Sequence, residues 1–291
     1  MKERENQGRL ESYLERAMAI KAALTLFEWD NETLAPQKAG TYTARIQGAL
    51  SAAYQELMTG PELVDLLKER ESQELSEEES AIVREAWEER RELSCIPPKE
   101  YRAYQELVSE SARTWADAKK KQDFDAFAPV LEKIISYQKK FAGYQARKGQ
   151  RLYDVMLDHY EKGFSMEKLD EFFEILKREL VPFLQKVIQS GVDIPDDFLT
   201  GNYSEEKQRE LAEFLARYVG FDFDRGVLAE SAHPFTTNLH NHDVRLTTHY
   251  KERVDSSLFS VIHESGHGIY ELGIGDELTL TLVGQGASMG M

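Results

Sequence analysis

Cysteine is nearly missing from this chain, where Cys95 stands alone. That excludes an intrachain disulfide and any cysteine-based zinc site, and a lone thiol fits a reducing compartment. Basic residues are also in short supply: Lys and Arg total 36 against 52 Asp and Glu, a net charge of −16. A chain of that sign repels phosphate backbones, and no basic patch is interleaved with aromatic residues, so nucleic acid is excluded as a partner. No apolar stretch approaches the ~20 residues of a membrane span. The opening MKERENQGRLESYLERAMAIKAAL lacks the apolar core of a signal peptide. These absences predict a cytoplasmic protein with no membrane partner. Internal repeats, low-complexity linkers and glycine-rich phosphate loops are missing as well.

What is present is the profile of a soluble globular protein, 41% apolar and 30% charged over 291 residues, long enough for a real core. Helical spacing runs from Leu10 through Leu14, Ala17 and Leu24 to about Trp29, breaks over Asn31 to Gly40, and resumes from Ile46 to Gly60-Pro61. Ser76 and Glu79 form a capping box, and Pro98 opens a helix to about Lys121. Further helices are expected from Asp123 to Gln145 and from Ser165 to Gln189, the latter kinked or divided by Pro182. Another should start at Ser204 and close at Gly220. Residues 231 to 250, SAHPFTTNLHNHDVRLTTHY, favour two extended segments around a turn near Asn241. Asp255, Ser256 and Ser257 are candidate caps for the next helix, which Gly273 and Gly275 terminate.

That last helix carries HESGH, residues 263 to 267. Residues four apart share a helix face, so His263 and His267 can present two nitrogens to one metal ion. Glu264, one position round, is placed to take a proton from water and return it to a leaving amine. Gly266 and Gly268 each cost the helix roughly 1 kcal/mol relative to alanine, which is easier to accept where another backbone approaches closely. Six of the seven histidines fall between His233 and His267, although His240, His242 and His249 read as turn or surface residues. A third ligand is not evident. Glu271 lies about 12 Å along the helix axis from His263, too far to share an ion comfortably, and reads as a neighbour of the ligands or a solvent-facing group. Asp276 and Glu277 could fold back after the glycine turn, but the spacing does not demand it.

The ordered set HPF (His233, Pro234, Phe235), DVRLT (Asp243 to Thr247) and HESGH resembles the carboxypeptidase Taq family of zinc metallocarboxypeptidases. FEWDNETLAPQKAG, with Trp29, Asp30, Glu32, Thr33 and Pro36, is similar to that family's tryptophan–aspartate motif. DFDAFAPVLEKII and LVGQGASMGM look like family segments too. The resemblance implies a mainly α, elongated zincin-type scaffold, with a long groove and a small β-hairpin or sheet beside the HExxH helix. Residues 1–205 would form a helical wall of the groove and 206–291 a partial catalytic region. It also implies metal-dependent release of single residues from peptide C-termini, commonly by a homodimer. His263 and His267 carry over as zinc ligands and Glu264 as general base and acid. His233, Pro234, Phe235, Asp243, Arg245 and Thr247 carry over as groove lining. Arg245 could clamp a substrate carboxylate through paired hydrogen bonds, or it could pair with Asp243 to hold the hairpin. His233 could polarise substrate or simply pack against Pro234.

In that family the third ligand is a glutamate in an H-E-S-Q-type motif directly after a segment like GQGASMGM, and this sequence stops there, at Met291. The scaffold is therefore expected to be incomplete at its C-terminus and its zinc occupancy and activity impaired. Two other readings stand beside the carboxypeptidase: a non-catalytic helical protein that binds another chain through its exposed apolar faces, and an oligoendopeptidase-type zinc peptidase.

Overall fold

The computed structural model describes residues 2–36, 38–201 and 203–285. Among these it places ten helices: α1 (Lys2–Thr33), α2 (Gly40–Thr59), α3 (Pro61–Glu71), α4 (Glu77–Ser94), α5 (Pro98–Lys121), α6 (Phe124–Gln145), α7 (Leu152–Tyr160), α8 (Met166–Gln189), α9 (Glu205–Val219) and α10 (Asp255–Leu272). Three strands, β1 (Gly226–Glu230), β2 (Thr236–His240) and β3 (Asp243–Thr248), lie between α9 and α10. The mainly α scaffold with a small sheet beside the HESGH helix is thus the architecture found. Within the described residues, no helix is long and apolar enough to cross a membrane. The terminal GASMGM of the family-like LVGQGASMGM segment, residues 286–291, falls outside the described residues.

Local signals set many boundaries. Glu79 N donates to Ser76 Oγ (3.2 Å) while Ser76 N donates to Glu79 Oε2 (2.8 Å), the reciprocal pairing that starts α4. Proline opens α5, and Asp123 accepts from Ala126 N at the start of α6. Ser204 caps α9, and Gly220, at φ 104°, ends it in a left-handed conformation that a side chain would resist.

Two apolar cores follow. One joins α1 to α4 through Leu14, Ala17, Tyr54, Met58, Leu67 and Val83, and α5 packs along α2. The other lies between α9, the sheet and α10, built on Ala212, Ala216, Phe221, Val244, Leu246 and Val261. In the sheet, ordered β1-β3-β2, β2 and β3 form the expected hairpin about Asn241, with a register shift between Asn238 and His240. Strand β1, which has no alternating pattern, runs parallel to β3.

Three expectations need correction. Asp255, Ser256 and Ser257 do not cap α10, because its N-cap is Val254 and no side chain caps it. Ser256 instead meets His249 Nε2 at 2.7 Å, and Ser257, fully buried, bonds Gln208. Pro182 does not divide α8, which continues across it, since one missing donor is outlasted by the turns on either side. That helix buries none of its residues and leaves Phe172, Leu180, Phe183, Leu184 and Ile188 exposed. Helices α3 and α7 add two elements to those expected from the sequence.

The two glycines of HESGHG differ sharply. A Cβ on Gly268 would meet Phe221 Cε2 at 2.7 Å and Leu246 Cδ2 at 2.9 Å, whereas one on Gly266 would meet open space. Gly268→Ala should therefore lose about 1–3 kcal/mol through overpacking, and Gly266→Ala should gain up to about 1 kcal/mol of helix propensity. Urea unfolding of both variants beside the parent chain checks this pair of opposite signs.

Candidate metal centre

Helix α10 is amphipathic in a way that fixes its working face. Val261, Ser265, Gly268 and Leu272 turn inward on the sheet and α9, so His263 and His267 turn outward. Their rings stand perpendicular with centroids 4.7 Å apart, and the two Nε2 atoms are 3.2 Å apart. Two nitrogens bound to one tetrahedral zinc at about 2.0–2.1 Å would be separated by about 3.3–3.4 Å. The pair therefore fits one shared ion with little rearrangement. Gly266 and Tyr270 complete an open depression of about 270 Å³ around them.

Glu264 faces the sheet rather than the depression, and only 7% of it is exposed. Thr236 Oγ1 lies 2.6 Å from its Oε2 and 3.0 Å from its carbonyl oxygen. Among the described residues no protein donor reaches Oε1, so one carboxylate oxygen is fixed and the other stays available. Two residues along the same face of β2, Asn238 donates to the Glu271 carboxylate. Burial pushes the Glu271 carboxyl above its usual value, opposed by that hydrogen bond and by His267. Glu271 is therefore half-buried and held, not solvent-facing, and it neighbours His267.

Among the described residues no group of three His, Cys, Asp or Glu side chains could hold a metal ion. Asp276 does fold back, but onto the hairpin turn, where it accepts from Asn241 Nδ2 (2.7 Å) and meets His242 Nε2 (2.9 Å). These contacts hold its carboxyl below the usual range. His240 and His242 thus belong to the turn. His249 is half-buried against Ser256, and burial with Lys251, Lys119 and His233 nearby keeps its imidazole below its usual value.

The remaining motif residues divide into holders and surface. Asp243 and Arg245 pair with each other through two hydrogen bonds of 2.8 Å. The same guanidinium lies 4.8 Å from the centre of the Trp29 ring, a cation–π contact that joins DVRLT to the FEWD segment of α1. Thr247 is fully buried, so it offers no surface to a ligand. Its hydroxyl accepts from Ser231 Oγ (2.7 Å) and Phe235 N (2.9 Å), which pins the HPF turn to β3. The same Ser231 Oγ lies 2.7 Å from the His233 carbonyl oxygen, so its one proton is shared between the two acceptors. His233 is exposed, edge-on to Trp115, and near enough to Glu32 to draw that carboxyl down against the burial that raises it. Pro234 and Phe235 are half-buried. Sequence reading missed Thr236, Asn238 and Trp115. Only the alternation of β2 hinted at the first two, and nothing marked the third.

Thr247→Val keeps the shape of the side chain but leaves the Phe235 N–H without its acceptor. It should lower the unfolding free energy by about 1–3 kcal/mol, measured by urea denaturation, with Thr247→Ser retaining most of the stability.

Comparison with known proteins adds to this geometry. The model of the carboxypeptidase Taq (M32) metallopeptidase family matches residues 9–291. Carboxypeptidase 1 of Bacillus subtilis is 38% identical over 282 residues, covering 96% of this chain and 56% of the relative. Thermostable carboxypeptidase 1 of Pyrococcus furiosus is 34% identical over 281 residues, covering 95% and 56%. The crystal structure of BsuCP superposes with a TM-score of 0.94 at 36% identity, over 98% of this chain and 58% of that one. The chain therefore spans somewhat more than half the length of the relatives it matches.

Proposed function

The chain belongs to the carboxypeptidase Taq (M32) metallopeptidase family, and on that premise we propose that it is the part of a zinc carboxypeptidase that carries two ligands and the general base. The observation that carries this reading is the convergence of His263 and His267 at 3.2 Å on the open face of α10, with Glu264 fixed beside them. His263 and His267 would hold the ion; Glu271, through its nearness to His267, would help set that ring's orientation and charge. When bound, zinc acidifies a water molecule and polarises the scissile carbonyl.

The remaining chemistry belongs to the chain. Thr236 holds Glu264 Oε2, so the carboxylate cannot rotate freely, and Oε1 takes the proton from water and later hands it to the leaving amine. The depression beside Gly266 and Tyr270 leaves room for a peptide end to lie against the histidines. Substrates of this class are peptides with a free C-terminus, released one residue at a time, in a homodimer of cytoplasmic location. The paired geometry of Asp243 and Arg245 favours a holding role for both, with Arg245 anchoring the sheet to Trp29.

A helical binding protein is favoured by one observation, the exposed apolar length of α8, but it gives the converged histidines nothing to do. Concentration-dependent self-association in sedimentation, without any chelator-sensitive hydrolysis, would turn the balance toward it.

Two measurements test the proposal. In a chain extended to the length of its relatives, elemental analysis after dialysis against trace zinc should find metal that His263→Ala and His267→Ala each remove. With the same extended chain, blocked dipeptides should release their C-terminal residue in a chelator-sensitive reaction. Glu264→Gln should lower its kcat by about 10²–10⁴-fold, the usual range for a lost general base, with zinc content unchanged. Internal cuts in longer peptides would instead indicate an endopeptidase.

A further inference from the structure

A second concavity, about 330 Å³, lies between α1, α2, α4 and α5, and Glu28, Glu32 and Glu89 line it with Lys21 as the one cation among its lining residues. Glu89 already accepts from Tyr54 (2.8 Å). Glu28 and Glu32, one turn apart on α1, accept no hydrogen bond from any described residue. Glu28 is open to the cavity yet crowded on its other sides, which raises its carboxyl, and Lys21 only partly offsets this.

The opposite wall is unsatisfied too. Gln47 is 4% exposed and Ser51 2%, and they sit four residues apart on α2. Asn31 and Ser109 both donate to Gln47 Oε1, so its Nε2 has no acceptor among the described residues, and neither has the Ser51 hydroxyl. Two largely buried side chains on the wall of one cavity, each with a polar atom that lacks a protein partner, point to a ligand that supplies what they lack. That ligand needs a cation for the carboxylates and carbonyl oxygens for the amide and hydroxyl. A metal ion does not suit, because no three carboxylate or imidazole groups among the described residues come close enough to hold one.

The cavity's position completes the argument. Its Glu32 end adjoins His233, and three residues further along the chain Thr236 touches Glu264. Three residues span at most about 10 Å. A carboxypeptidase has only one residue beyond the scissile bond, so whatever reaches this cavity lies upstream of the cut.

We propose that the cavity between α1 and α2 receives a lysine or arginine of the peptide upstream of the scissile bond. Glu28 and Glu32 face its cation, and Gln47 and Ser51 bond its main-chain carbonyls, so that Glu32 and Glu28 set specificity. The proposal rests on the carboxypeptidase reading for the direction of the peptide. Its test is binding in chelator, where hydrolysis is off: fluorescence anisotropy of labelled alanine-based pentapeptides with lysine or norleucine at each upstream position. At one position lysine should bind at least tenfold tighter than norleucine, and Glu32→Gln and Glu28→Gln should each bring the two within about threefold. Equal binding of lysine and norleucine by the parent chain overturns the proposal whatever the variants do. A lysine preference that survives both variants also overturns it, by tracing the effect to the net charge of −16. Failure of chelator-sensitive residue release would strike the carboxypeptidase reading alone, since the binding comparison needs no catalysis.

Discussion

The working geometry depends on how closely α10 lies on the sheet at Gly268. There a hydrogen takes the place of a side chain, and Phe221 and Leu246 fill the space that a Cβ would need. The approach fixes the height of the helix and brings β2 within hydrogen-bonding reach of it. Thr236 then meets Glu264, and Asn238 meets Glu271, two side chains of one strand face holding two carboxylates of one helix. With that side of α10 committed, the histidines have only the outer face left. A lifted helix would lose the threonine contact first, because hydrogen bonds weaken steeply with distance and angle.

A second constraint ties the sheet to the long α1 helix. The Arg245 guanidinium is spoken for twice, by both oxygens of Asp243 and by the face of Trp29. An arginine suits this place because its planar group can meet a carboxylate at its edge and an aromatic ring at its face together. The consequence reaches Glu28 and Glu32, which flank Trp29 in sequence and line the neighbouring cavity. This contact therefore helps set the position of the acidic wall relative to the HESGH helix.

Much of this fold was legible because its signals are local. The caps at Ser76, Asp123 and Ser204, the proline at the start of α5 and the glycine after α9 each act within a few residues. The hairpin and the HESGH helix were readable from alternation and helical spacing for the same reason. What escaped depends on partners far along the chain. Strand β1 has five residues without alternating burial and exists because β3 pairs with it. The serines in the first turn of α10 read as caps from their spacing, yet tertiary partners, His249 and Gln208, meet their hydroxyls. His240 and His242 lie in the turn as their spacing suggested, whereas the contact of His249 with Ser256 depends on tertiary packing.

The burial of Glu264 shows why the fold and the chemistry cannot be separated here. Only 7% of Glu264 is exposed, so its oxygens need partners in place of the water they lose. Thr236 provides one such partner, a 2.6 Å hydrogen bond to Oε2. A second donor on Oε1 would occupy the atom that the proposed general-base role leaves free to receive a proton. The arrangement is therefore a compromise: enough compensation to keep the carboxylate in place, and one oxygen left without a protein partner. The same logic applies to Glu271, where Asn238 supplies the compensation and His267 lies within reach of its charge. In both cases a neutral donor from the edge strand does the holding, so no competing cation from the protein is brought up to the place where the metal would bind.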